Sequence, residues 1–265
     1  MDRARQPRPR RGGGREHPLN ADHADQLRLL DVQGLDARID QLAHRRRTLS
    51  QLGEIERVTG ETAQVRDLLV AARTEKSDIE REVAKTEADV EAVRARSARD
   101  RQRMDAGQVG SAKELEALQH EVGTLARRQS DLEELELEAM ERLEEVQGRV
   151  GGLEDRTASL AGELAELERQ RDEAFADIDK DTAYLTGERE RVADGLPGDL
   201  MTLYEKLRVD HGGVGAAGLQ HGRCLGCRLQ LTPTELARIR NAPPDEVQRC
   251  EECRRILVRT PDSGL

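Results

Sequence analysis

No proline occurs between Pro18 and Pro197, although the chain of 265 residues carries eight of them. Proline removes a backbone donor and clashes with the preceding turn, so a run this long without one leaves room for helices of unusual length. The apolar residues inside the run keep helical spacing. Leu143, Val146, Val150, Leu153, Thr157, Leu160, Leu164, Leu167, Arg171, Ala174 and Ile178 alternate steps of three and four, with two polar lapses. Ile79, Val83, Thr86, Val90 and Val93 do the same in the first half. This is the heptad seam of a coiled coil.

Composition fits that reading. Charged residues make up 36% of the chain, and its aromatic side chains are one Phe and two Tyr. Large apolar side chains are too few for a sizeable globular core, which must offset the entropy of ordering the chain. The sustained periodicity argues equally against a disordered polymer. Lysine occurs only at 76, 85, 113, 180 and 206, so arginine supplies nearly all the basic charge, and the net charge is −10. The arginine bias points to a GC-rich genome rather than to a nucleic-acid surface. No run of 18 apolar residues could cross a membrane, and the arginine-rich N-terminus lacks the apolar stretch of a signal peptide. The expected compartment is the cytoplasm.

Local signals divide the chain. Asp105–Gly110 reads as a turn, and Ser111-Ala-Lys-Glu114 as a capping box opening a new helix. Asp194-Gly195-Leu196-Pro197 supplies a glycine cap and a stop. The expected fold class is mostly α: a long antiparallel two-helix coiled-coil hairpin over 22–195, with its tip at about 105–110, plus a small C-terminal zinc ribbon. Folding back at 107–108 would set Val90 against Leu125 and Leu69 against Val146. It would also pair Arg101 with Glu114, Arg94 with Glu121 and Arg81 with Glu134. Gly53 to Gly60 is the expected place for a local interruption of the first helix. Residues 1–21 read as a disordered basic arm, or as the product of an upstream start codon. Residues 196–218 read as a short amphipathic helix (Leu200, Leu203, Tyr204, Leu207) and a glycine-rich connector with a possible edge strand, and 219–265 as the ribbon.

The chemistry lies in that last segment. Cys224-Leu-Gly-Cys227 and Cys250-Glu-Glu-Cys253 are two CxxC knuckles. Each clasps one edge of a metal tetrahedron, and four thiolates suit a single structural Zn(II) with no open coordination position. Gly226 is expected to ease the first turn, and Arg228, Arg254 and Arg255 to offset the charge of the centre. His221 reads as an ordinary loop residue. Thr232-Pro-Thr-Glu235 opens a short helix, and Ile256–Arg259 reads as a closing strand. Thiol redox chemistry is disfavoured because the βαβ context of thioredoxin-type motifs is missing.

Nucleotide-binding, serine-hydrolase and zinc-protease motifs are all lacking, so the chain is expected not to be an enzyme. Arg94, Arg96, Arg99, Arg101 and Arg103 crowd the end of the first long helix. They are expected to pair with Glu114, Glu116 and Glu121 across the hairpin; the rival reading is a phosphate-binding tip.

The order of parts resembles the bacterial C4-type zinc-ribbon family with an N-terminal coiled-coil hairpin. The likeness rests on Leu29-Leu-Asp-Val-Gln-Gly-Leu-Asp36, Ser111–Leu118, Leu203-Tyr-Glu-Lys-Leu207, Cys224–Leu231 and Cys250–Leu257, and it spans about 22–259. It implies that the four cysteines are zinc ligands and that the protein is a non-enzymatic adaptor acting through protein partners. Some family members are linked to flagellar or type III secretion systems and to an alternative sigma factor, and nucleic-acid binding has been proposed.

Overall fold

A computed structural model describes residues 19–265. The segment 1–18, most of the expected basic arm, lies outside the described residues. The elements run α1 (His23–Arg47), α2 (Ser50–Asp105), α3 (Ala112–Asp194), α4 (Gly198–Asp210), β1 (Ala216–Gln220), β2 (Arg223–Cys224), α5 (Pro233–Asn241) and β3 (Ile256–Arg259). They form two compact units: Ser50–Arg171, and the remainder from either side of it.

Within 50–171, α2 and the first part of α3 pair as a hairpin. Leu69, Ala72 and Ile79 bury against Val146 and Val150, and Val58 and Val65 against Leu160. None of the seam positions named from the sequence is fully exposed. At the tip, Gln108 N–H donates to the Arg103 carbonyl and Gly107 N–H to that of Met104, a Schellman closure with Gly107 at φ +67°. Ser111 then caps α3, its Oγ accepting from Glu114 N–H, while Glu114 reaches back to Gly110 N–H.

Leu69 and Val146 share a buried cluster as expected, but the expected charge pairs differ. Glu114 meets Arg103 rather than Arg101, Glu121 meets Arg96 rather than Arg94, and Arg81 turns to Asp78 on its own helix. The helix ends place the centre of the turn at 108–109, one residue later than expected. Moving a fold-back point by one residue moves facing partners by two. The first arm is interrupted at Thr48–Leu49, not between Gly53 and Gly60. Thr48 closes α1 by returning its N–H and its hydroxyl to the His44 carbonyl, whereas the seam continues past both glycines.

In the other unit the sheet has the order β2-β1-β3, with β1 parallel to β3 and antiparallel to β2. The strand expected at an edge is therefore central, and the boundary drawn at 218/219 cuts through it. Alternate residues of a strand face opposite sides. Ala216, Ile256 and Val258 pack with Leu29 and Val32 of α1 and Leu200, Tyr204 and Leu207 of α4. Ala217, Leu219 and Leu257 pack on the other side with Ile239 of α5 and with Cys224 and Cys250. Leu19–Ala21, assigned to the arm, belong to this unit: Asn20 bridges Glu246, Ala21 N–H donates to Asp245 and Val247 N–H to Leu19. An extended backbone edge there captures a segment whose side-chain pattern gave no such signal.

One buried carboxylate joins three helices of this unit. Asp36 of α1, its side chain 4% exposed, accepts from Tyr204 Oη at 2.6 Å and from Arg189 Nε at 3.0 Å. Arg208 Nε makes an ionic contact with it at 3.4 Å. Arg189 also pairs with Glu205, and Arg208 with Asp40 at 2.7 Å. Burial, then the bond to Asp36, raises the Tyr204 phenol well above its ordinary range, so it stays a donor. Gln33, one turn earlier, receives Gly215 N–H and donates to the Gly213 carbonyl, tying the connector to α1. Arg28 covers the end of α3 by donating to the Val192 and Gly195 carbonyls. A Cβ at Gly195 would sit 2.4 Å from the end of that guanidinium, so a side chain there would displace Arg28 from these carbonyls.

Removing Asp36 would leave the Tyr204 phenol without its acceptor and leave Arg189 and Arg208 with Glu205 and Asp40 alone. Asp36→Ala is expected to destabilise this unit by about 3 kcal/mol, and Tyr204→Phe by about 1 kcal/mol. Hydrogen exchange should quicken in α1, α4 and β1 while amides of 50–171 keep their protection. Equal loss of protection throughout would contradict the network's local role.

Candidate metal centre

The two knuckles are built alike. After the first pair of cysteines Arg228 takes φ +64°, and after the second Arg254 takes φ +61°. Each then returns its N–H to the first cysteine of its knuckle, Arg228 to the Cys224 carbonyl at 2.7 Å and Arg254 to that of Cys250 at 2.9 Å. Cys224 N–H donates to Leu229 and Cys250 N–H to Arg255, both at 3.1 Å, closing the two loops. The left-handed residues are thus arginines, not Gly226. A Cβ at Gly226 would come within 2.9 Å of Arg255 Cδ and 3.0 Å of Ala217 Cβ, so its role is close packing of the first knuckle on the sheet.

This geometry brings the four thiols together. Cys224 and Cys253 Sγ are 3.9 Å apart, as are Cys227 and Cys250 Sγ, and all four lie within 4.8 Å of one another. A tetrahedron with Zn–S bonds of about 2.3 Å separates its sulfurs by about 3.8 Å, so the cage fits one zinc ion. Among the described residues it is the one cluster of this kind, and His221 is outside it. His221 sits in a turn at φ +46°, where its N–H donates to Asp262.

The electrostatics explain why a cation belongs here. Burial raises the Cys224 thiol and pushes that of Cys250 up to about 12, and the charge of a neighbouring thiolate raises each further. Burial opposes the Cys253 thiolate too, but Arg255 and the thiols of Cys250 and Cys227 outweigh it and bring that group to about 7. Four thiolates in one buried cage repel one another, and a divalent cation removes the repulsion. Arg255 is fixed for this task, its guanidinium donating to the Val214 and His211 carbonyls. Bound in this way, zinc is structural: it crosslinks β2, the loop before β3 and the sheet between them.

The arginines at the tip do not act as one group. Arg94 pairs with Glu91 and Glu133, Arg96 with Glu121, and Arg103 with Glu114. Glu116 takes no part in these pairs. Arg99 and Arg101 are exposed and, among the described residues, make no ion pair. The sequence reading places Tyr204 on the apolar face of its helix and Gln33 and Asp36 in a family motif, but gives none of them, nor Arg189 or Arg208, a part in a polar network. A signal for two of them was present, since Gln33 and Asp36 share a helical face with Leu29 and Val32.

Chelation should release about one zinc per chain and expose the amides of β1, β2 and β3, while most helical ellipticity is retained. Cys224→Ser or Cys250→Ser should do the same without chelator. Collapse of the helical signal along with the ribbon would contradict the structural separation of the metal centre from the 50–171 hairpin.

Comparison with known proteins matches these parts. Residues 32–212 fit the model of the CT398-like coiled coil hairpin domain, and residues 223–257 that of the C4-type zinc ribbon domain. The uncharacterized protein Rv2229c of Mycobacterium tuberculosis is 37% identical over 241 residues, covering 91% of this chain and 98% of the relative. A solved structure from Mycobacterium smegmatis superposes with a TM-score of 0.81 at 36% identity, over 91% of this chain and all of that one. CT398 from Chlamydia trachomatis shares the fold, with a TM-score of 0.68 at 18% identity over 90% of this chain and 98% of its own. The cysteine cage, the hairpin and these likenesses together place the chain in the family of CT398-like coiled-coil hairpin proteins carrying a C4-type zinc ribbon.

Proposed function

We propose that this chain is a non-enzymatic adaptor of the bacterial cytoplasm, in which zinc holds one binding module in shape and the helices provide another. The observation that carries this reading is the set of large apolar side chains left outside the cores of both modules. On α3, Leu135, Leu137 and Met140 are about half exposed or more, within the acid-rich run Asp131–Glu145. On the first knuckle, Leu225 and Leu229 are each half exposed beside the zinc ligands. Apolar side chains on a helix face or a rigid loop are how proteins anchor a partner helix or peptide. A closed cage of four sulfurs leaves no coordination position for substrate. Among the described residues, no helix is long and apolar enough to cross a membrane.

A second reading is nucleic-acid association, favoured by one observation: Arg99 and Arg101 stand exposed without carboxylate partners among the described residues. Such contacts would reach phosphates rather than bases, in a chain with almost no aromatic side chains.

Two experiments separate the readings. Proteins crosslinked to the zinc-loaded chain in native extracts should be lost with Leu137→Glu/Met140→Glu or Leu225→Glu/Leu229→Glu; recovery of the same set with both variants would refute the adaptor reading. Fluorescence anisotropy with generic RNA and DNA should show no binding at low salt. Salt-sensitive binding abolished by Arg99→Gln/Arg101→Gln would instead establish the second reading.

A further inference from the structure

Residues at seven-residue spacing form columns along one flank of the 50–171 seam. On α2 the column reads Glu61, Leu68, Glu75 and Glu82, and on α3 it reads Arg142, Arg149 and Arg156. Acids and arginines pair across the seam as rungs: Glu61 with Arg156, Glu75 with Arg149, and Glu82 with Arg142 at 2.8 Å. Between the first two rungs stands Leu68, 58% exposed, where a glutamate would continue the ladder. Beside it Ala71, Ala72, Gly152 and Leu153 line an apolar groove of about 400 Å³, bounded by Glu75 and Arg149. A Cβ at Gly152 would meet nothing within 4 Å, so the packing of this chain alone does not demand a glycine there. A projecting leucine and an open groove thus lie side by side, framed by opposite charges on the two helices.

We infer that this flank docks a second copy of the same chain, about a twofold axis parallel to the helices. The charge pattern selects that operator. It lays α2 of each copy along α3 of the other, so that the acidic column of one faces the arginine column of its mate. A twofold axis across the helices would set acids on acids and arginines on arginines. The parallel axis also sets Leu68 of one copy over Gly152 of the other, because both lie between the same two rungs. The contact is isologous, with each copy giving one leucine and one groove. This inference does not depend on the adaptor reading.

Sedimentation equilibrium of the full, zinc-loaded chain across the micromolar range tests it. A monomer–dimer equilibrium is expected. Leu68→Lys, which removes the leucine and sets a cation between Arg149 and Arg156 of the mate, should weaken it by about tenfold or more, equivalent to at least 1.4 kcal/mol, with helicity unchanged. Leu137→Glu, on a different face of α3, should leave it as it was. Arg149→Glu should weaken association, and Glu75→Arg added to it should restore it. A wild-type chain that stays monomeric would leave the groove to a helix of another protein and overturn the inference. So would a dimer insensitive to Leu68→Lys, one disrupted by Leu137→Glu, or failure of the double reversal to restore association.

Discussion

A seam one side chain wide is the constraint on which the rest of this molecule depends. Val58, Leu69, Ile79, Val90 and their partners on α3 bury one stripe of each helix and leave the other faces in water. Such packing holds two helices together with small side chains and asks for few aromatics, which the chain hardly has. It cannot enclose a substrate. Chemistry that needs a closed environment must therefore be concentrated elsewhere, and here it is concentrated in four thiols at the far end of the sequence.

The unit around the metal solves a different problem. Its sheet has three short strands, too few to be stable alone, and both faces must be covered. One face is covered by α1 and α4 and the other by α5 and the knuckles. Two polar devices fix these layers: the zinc cage on one side, and the carboxylate of Asp36 with its arginines and phenol on the other. Each gathers groups from distant parts of the chain, so each needs its full set of partners. A buried carboxylate without its donors, or thiolates without their cation, would be strongly destabilising.

What could be read from the sequence follows from the range of the interactions. The heptad repeat, the Ser111 and Thr232 caps and the CxxC spacing are local or periodic, and each is present in the structure. Two charge pairs near the tip fall two residues from those expected, because they depend on where one turn is centred and Gly107 alone does not fix that. The position of β1 depends on a parallel partner about forty residues later, which no local pattern announces. The role of Asp36 is not readable for a similar reason: its partners are residues 189, 204 and 208, and only the fold brings them to it.

The account stands or falls on the nature of the metal centre, and zinc K-edge X-ray absorption of the purified chain tests it most directly. Four sulfur scatterers at about 2.3 Å, with no nitrogen or oxygen in the shell, are predicted. A shell containing oxygen or imidazole nitrogen would mean an open or differently built site. Both the structural role of the metal and the adaptor reading would then fail.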